Sequence, residues 1–137
     1  MTSNEAAFRA FLESRVDACQ KKDIDGLMSH YSSDIVYYDV VPPLQFAGFD
    51  NVRRNFVRWF GGYEGPIGLE TRDLHVAVSG DVAFAHMLHL NSGTRMDGLE
   101  MEIWVRSTVC CQWSGDRWLI THEHISVPIT PPNAEKS

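Results

Sequence analysis

Arg15 is a charged residue on the apolar stripe of a predicted N-terminal helix. It lies between Leu12 and Cys19, which recur at the helical period and face the same side. A charge that faces a protein core is costly unless it is paired or borders a wet pocket. The guanidinium therefore suits an oxyanion donor for a carboxylate or enolate inside a cavity. The alternative is that Arg15 reaches the protein edge or forms a structural ion pair.

Asp39 is a carboxylate within a run of β-branched and aromatic residues at positions 35–41. It either ends a strand and bonds to the following turn, or points inward, where burial would raise its pKa towards that of a useful general base. Arg15 and Asp39 are natural partners if both point inward. Such pairing would lower the pKa of Asp39 and make it a poorer base.

Two histidines of one predicted strand have opposite parity. His86 shares parity with the bulky residues Val82, Phe84, Leu88 and Leu90, which predicts that it faces the core. There it is either a satisfied core histidine or a neutral imidazole held against Asp39 or a ligand. His89 is expected on the opposite face, at the surface or in an interface.

A His-x-His pair lies in the last predicted strand. His122 and His124 would share one face at a separation of about 7 Å, which is compatible with a metal ion. Two ligands are not a complete site, and His75 or His89 would have to supply a third, so no metal is predicted. The favoured interpretation places both histidines and Ser126 on the outer face of the sheet. The alternating residues Thr121, Glu123 and Ile125 would then face inward.

The composition excludes several functions. The 137 residues carry a net charge of −6, with 44% hydrophobic and 22% charged residues, and the basic face needed for nucleic acid or an anionic membrane is missing. Three cysteines without C-x-x-C spacing indicate free thiols. The N-terminal residues do not resemble a signal peptide, and a cytoplasmic location is predicted. Nucleotide and dinucleotide motifs are missing as well, so no cofactor is expected.

The hydrophobic periodicity predicts helices early in the chain and strands late. A helix is predicted over residues 3–21, opened by a capping box at Thr2 and Glu5. A short helix capped by Asp23, a strand at 35–41 and a helix capped by Asp50 follow. Four long antiparallel strands are predicted at 69–78, 82–90, 100–113 and 118–127. This order indicates an α+β fold: one domain over residues 1–130, with a curved sheet, helices covering one face and an enclosed pocket, followed by a flexible tail over 131–137.

The same element order resembles the nuclear transport factor two superfamily, and within it the ketosteroid isomerase and SnoaL-like polyketide cyclase branch. The resemblance covers roughly residues 5 to 128. The resemblance depends on the stretches at 22–27, 33–34, 38–39 and 80–86, and on the C-terminal segment from Trp118 to Pro128, which contains a His-x-His-x-Ser motif. The resemblance implies the cone-like fold of that superfamily.

Residue by residue, the resemblance also implies a site. Asp39 falls where ketosteroid isomerases keep their proton-shuttling aspartate, Tyr31 near a supporting tyrosine, and Phe56 at a pocket aromatic. Arg15 and Val109 stand where those enzymes carry their two oxyanion donors, so both donors are altered. A charged donor at Arg15 suits an anionic substrate better than a neutral ketone. The pocket walls implied on the sheet are His86, Leu88, Leu90, Thr121, Glu123 and Ile125.

These residues predict a small-molecule pocket protein that acts as an isomerase or lyase. Asp39 would abstract a proton next to a carbonyl, with His86 assisting and Arg15 stabilising the oxyanion. Tyr31, Phe56, Trp59 and Leu88 would shape the wall, and the ligand would be a small apolar or anionic carbonyl compound. The alternative is a non-catalytic ligand-binding or association module. In either case a homodimer is expected through the outer sheet face around Trp104, Arg106, His122 and His124.

Overall fold

The structure, a computed structural model, describes residues 3–131; the predicted cap at Thr2 and the predicted tail from residue 132 onwards lie outside this range. Helix α1 covers Ser3–Lys21, α2 covers Ile24–Met28 and α3 covers Phe49–Gly61. The strands are β1 (Tyr31–Tyr38), β2 (Phe46–Ala47), β3 (Tyr63–Ser79), β4 (Val82–Arg95), β5 (Glu100–Trp113) and β6 (Trp118–Ser126). The predicted α+β fold class is thus confirmed.

The helix ends follow local chemistry. The side chain of Asp23 accepts a hydrogen bond from the backbone N–H of Gly26, so Asp23 caps α2 as predicted. The predicted cap at Asp50 is wrong. Gly48 occupies the N-cap of α3 with a φ of 88°, a left-handed conformation that favours glycine, and Asp50 lies within the first turn.

All six strands form one mixed sheet in the order β2-β1-β6-β5-β4-β3. The long strands β3 to β6 are antiparallel neighbours, whereas β1 runs parallel to β6. The sequence placed the first strand at 35–41, but β1 begins four residues earlier, at Tyr31. The two-residue strand β2 was not predicted, because a pair of residues has no detectable period.

The helices cover one face of the sheet, which is called the inner face here. Helix α1 packs against β3, and α3 packs against β1. The core between these layers contains mainly aromatic and aliphatic side chains, among them Phe8, Leu27, Ile35, Val52, Val109 and Ile120. Within residues 3–131, no helix has the length and apolar character needed to cross a membrane.

The even-numbered residues of β4 were predicted to face the core, but the odd-numbered residues do so in the structure. Ala85, Met87 and His89 are buried, whereas His86 is exposed and Leu88 and Leu90 are only half-buried on the outer face. The parity prediction for His86, Leu88 and Leu90 is therefore wrong, as is the surface position expected for His89. Both faces of β4 carry bulky apolar residues, so hydrophobicity alone pointed to the wrong face.

A β-bulge shifts the inward set of β6. The register between β5 and β6 slips between Cys110 and Cys111, which leaves Thr121 without a partner in the ladder. Ile120 and Glu123 are buried, and the hydroxyl of Thr121 donates to the carbonyl of Cys110 at 3.2 Å. The predicted inward position is correct for Glu123 and wrong for Thr121.

Candidate active site

A cavity of about 440 Å³ lies between the inner face of the sheet and the two long helices. Its walls are largely apolar, which is typical of small-molecule sites. Helices α1 and α3 contribute one side, strands β1 and β3 to β6 contribute the other, and the segment after β1 contributes Val40 and Val41. The wall residues used below are Cys19, Tyr37, Phe56, Trp59, Leu69, Val105 and Ile125.

The buried polar residues Arg15, Glu123 and His89 line this cavity and are called the polar floor. Nη1 of Arg15 lies 3.5 Å from Oε2 of Glu123, and the two residues are 4% and 1% exposed. The second carboxylate oxygen, Oε1, accepts a 2.5 Å hydrogen bond from the hydroxyl of Tyr31. Arg15 therefore pairs with Glu123, and the predicted pairing with Asp39 does not form.

The floor holds Arg15 in its charged form. Burial works to lower the pKa of Arg15, but the carboxylate of Glu123, with smaller contributions from Tyr31 and Cys19, raises it above the ordinary value. For Tyr31 and Cys19, whose charged forms are anions, burial acts in the opposite direction. It raises the pKa of Tyr31 well above its usual range and that of the Cys19 thiol to about 12. The phenol and the thiol are therefore neutral beside a charged guanidinium.

His89 completes the floor as a neutral imidazole. It is 2% exposed, and burial, followed by the nearby Arg15 charge, lowers its pKa to about 3. Nη2 of Arg15 lies 3.4 Å from Nε2, and the hydroxyl of Thr71 lies 3.1 Å from Nδ1. An arginine only donates hydrogen bonds, so Nε2 is the acceptor and Nδ1 carries the proton that is shared with Thr71.

Asp39 lines the same cavity from the segment that follows β1. Its Oδ2 accepts a 2.8 Å hydrogen bond from Nδ2 of Asn55 and lies 3.9 Å from Nη2 of Arg58. Its Oδ1 accepts from the backbone N–H of Val40 at 2.7 Å. A carboxylate has about four acceptor positions, so these contacts fix its orientation and leave room for a further proton.

The structure brings only some of the predicted site residues to the cavity. Arg15, Asp39, Phe56, Trp59, Glu123 and Ile125 line it. Tyr31 reaches it indirectly through Glu123. Val109 is fully buried in the core and pairs with Glu123 in the β5–β6 register, outside the lining. His86, Leu88, Leu90 and Thr121 do not line the cavity, so the proposed assistance by His86 is not possible in this arrangement.

Several polar residues of the site were not predicted from the sequence; besides His89 they include Arg95, which lines the cavity. Asn55 is a buried amide on α3 that holds Asp39, and Asn91 lines the cavity two residues after His89. Arg58 completes the contacts of Asp39. Asn55 lies one residue before Phe56, on the face of α3 that packs inward. This position was the one signal in the sequence that could have indicated Asn55.

The His-x-His pair lies away from the cavity. Nδ1 of His122 is 2.8 Å from the carbonyl oxygen of Val36, and both His122 and His124 contact the ring of Tyr38. His89 lies on the opposite face of the sheet and cannot join them. Within residues 3–131, no group of three or more metal-ligating side chains is assembled.

Comparison with known families decides the relationship of this chain. The model of the SnoaL-like domain family matches residues 8–130, which is most of the sequence. The chain belongs to the SnoaL-like domain family. No functionally curated protein matches this SnoaL-like protein. Family membership confirms the resemblance that the sequence motifs indicated.

Solved structures agree with this assignment. An NTF2-like protein of unknown function from Pseudomonas putida KT2440 superimposes with a TM-score of 0.85 at 29% identity, over 98% of this chain and 94% of that one. A ketosteroid isomerase-like protein from Erwinia carotovora atroseptica SCRI1043 gives 0.80 at 19% identity, over 96% and 100%. The association domain of C. elegans CaMKII gives 0.74 at 14% identity, over 91% and 96%. The last two show a shared fold alone.

Proposed function

We propose that this SnoaL-like protein is a small-molecule enzyme that abstracts a proton next to a carbonyl group, as an isomerase or lyase does. The observation that carries the proposal is that Asp39 and Arg15 line one apolar cavity. A carboxylate base and a guanidinium donor facing the same ligand are the two groups that enolate formation requires.

The roles follow from the contacts. Asp39 is oriented by Asn55 and the backbone of Val40, so it accepts the proton from the carbon next to the carbonyl. The electron pair left by that proton moves to the carbonyl oxygen, which gains negative charge. Arg15 donates a hydrogen bond to that oxygen. Aromatic walls such as Phe56 and Trp59 exclude water and strengthen both interactions.

The test measures hydrogen–deuterium exchange in a simple ketone, so the natural substrate does not have to be known. β-Tetralone is a bicyclic ketone with acidic protons next to its carbonyl, and their replacement by deuterium in D₂O can be followed by proton NMR. The protein is expected to accelerate this exchange, and Asp39→Asn is expected to remove roughly a hundredfold or more of the acceleration. His86→Gln, on the exposed outer face, is the matched control and should retain the full rate. Undiminished exchange by Asp39→Asn would remove Asp39 from the mechanism.

A second candidate function, association with another copy of the chain, is favoured by the outer face of the sheet. Phe84 and Trp104 are 49% and 39% exposed there, although both are large and apolar. The guanidinium of Arg72 lies 4.8 Å from the ring centre of Trp104 and covers part of it. Large apolar residues that are exposed on a sheet face are typical of protein interfaces. Ligand binding and association use opposite faces of the sheet, so the two functions are compatible.

A further inference from the structure

The hydrogen-bonding capacity of Arg15 is only partly used by the protein. Nη1 faces Glu123 and Nη2 faces His89, but Nε has no hydrogen-bond partner in the part of the chain that the structure describes. Arg15 is 4% exposed and lines the cavity. A guanidinium has five N–H donors, so Arg15 keeps donors beyond its contacts with Glu123 and His89 for an acceptor supplied by a ligand in the cavity.

The polar floor as a whole has no net charge. The positive charge of Arg15 is balanced by the carboxylate of Glu123, and His89 is a neutral imidazole. Tyr31 occupies the other oxygen of Glu123 and is a neutral phenol. At the edge of the cavity the charges of Arg58 and Arg95, which both line it, are likewise opposed by Asp39 and Asp97.

A ligand carboxylate would meet this floor at a disadvantage. Its charge would lie beside the carboxylate of Glu123, so two anions would share the guanidinium of Arg15 in a buried place where charges interact strongly. A neutral carbonyl oxygen accepts a hydrogen bond from the same guanidinium without adding a charge. The enolate charge that forms on this oxygen during turnover is matched by the charge that Asp39 loses when it takes up the proton. An ammonium group would meet Arg15 with like charge.

From this balance we infer that Glu123 is a specificity-determining residue, which makes the cavity select ligands whose inner end is a neutral carbonyl and reject carboxylates. The inference rests on the proposed function, because it names the class of ligand that the same cavity accepts. A neutral ligand also replaces the anionic substrate expected from the sequence, because that expectation considered the charge of Arg15 without the carboxylate of Glu123. The charge of the arginine is used to hold Glu123 in place and to polarise a neutral oxygen.

The first experiment compares three ligands with one skeleton: β-tetralone, the tetralin carboxylate and the tetralin amine substituted at the same carbon. Binding to the unmodified protein at neutral pH is measured by titration calorimetry. The ketone is expected to bind on the order of tenfold more tightly than either ion. Tightest binding of the carboxylate would overturn the inference and leave the proposed cavity intact. Failure of all three to bind at millimolar concentration would withdraw both the inference and the proposed function.

The second experiment changes the charge of the floor. Glu123→Gln leaves Arg15 without its counter-charge, so the affinity for the carboxylate should rise on the order of tenfold and the order of the probes should reverse. Glu70→Gln is the matched control, since it makes the same change at an exposed carboxylate that does not line the cavity; the ketone should remain preferred. An unchanged order in folded Glu123→Gln would contradict the inference. If that variant does not fold, the ranking by the unmodified protein decides the question.

Discussion

The guanidinium of Arg15 lies 3.5 Å from the carboxylate of Glu123, and both side chains are almost completely buried. Removing one partner of a buried ion pair leaves an uncompensated charge, which destabilises a protein by about 3–5 kcal/mol. We therefore expect Arg15→Met and Glu123→Gln each to lower the free energy of unfolding by about that amount. Urea denaturation followed by circular dichroism measures it.

A matched control for this prediction is the exposed pair Lys21 and Asp17, whose atoms are closer, at 2.9 Å. Surface ion pairs contribute about 0–1 kcal/mol, so Lys21→Met should change stability little. Replacement of Arg15 and Glu123 together by apolar residues should cost less than the sum of the single changes, because no charge is left unpaired. Equal losses of unfolding free energy at the buried and the exposed pair would show that the buried pair contributes no more to stability than a surface ion pair.

Stability should fall as the pH falls, and His89 should contribute to the slope. Burial lowers the pKa of this histidine to about 3 from its ordinary value of 6.5. Between these values the unfolded chain binds the proton and the folded protein does not, so acid favours unfolding. The contribution is fully present above pH 6.5 and is lost progressively towards pH 3, at up to about 1.4 kcal/mol per pH unit.

Denaturation measured at several pH values tests this expectation. His89→Gln should have a shallower dependence between pH 6 and about 4 than the unmodified protein. Thr71→Val removes the hydrogen bond to Nδ1 and keeps the burial that is the main cause of the lowered pKa, so it should retain most of the slope. A slope that does not change in His89→Gln would mean that His89 is protonated in the folded protein.

Asn55 is expected to orient Asp39 for proton abstraction. Its Nδ2 lies 2.8 Å from Oδ2 of Asp39, and its Oδ1 accepts from Arg58. Asn55→Ala should lower the rate of β-tetralone exchange by roughly tenfold, less than Asp39→Asn does, because the base remains but is less well placed. The affinity for β-tetralone should change little. Asn51→Ala, one turn earlier on an exposed part of α3, is the control. Loss of binding instead of rate would make Asn55 a structural residue only.

The outer face of the sheet is expected to form a homodimer. Sedimentation at micromolar concentration should give twice the 15.5 kDa mass of the chain. Trp104→Glu should give the monomer, since it places a charge on this face. Leu44→Glu is the control, because Leu44 is 95% exposed on the loop before β2, away from the outer face. A monomer in the unmodified protein, or dissociation by both variants, would contradict the proposed interface.

The sequence by itself determined the order of the helices and of the long strands, and which faces of the long helices pack inward. The helical period placed Arg15 inward with Leu12 and Cys19, and the turn residues fixed where β5 begins and ends. Helix faces and strand ends depend on residues that are close together in the chain, so the local sequence pattern is sufficient to predict them. The alternation along β6 also placed Glu123 inward, correctly.

Only the tertiary structure decided which face of β4 looks into the cavity. Phe84 and Leu88 made one face appear to belong to the core, but the helices cover the other, where His89 lies. The partners of the charged residues were equally out of reach of the sequence. Arg15 meets Glu123 across 108 positions of the chain, and Asp39 meets Asn55 on a separate helix. Such pairs form only when distant elements pack together, and no local period records which of them will meet.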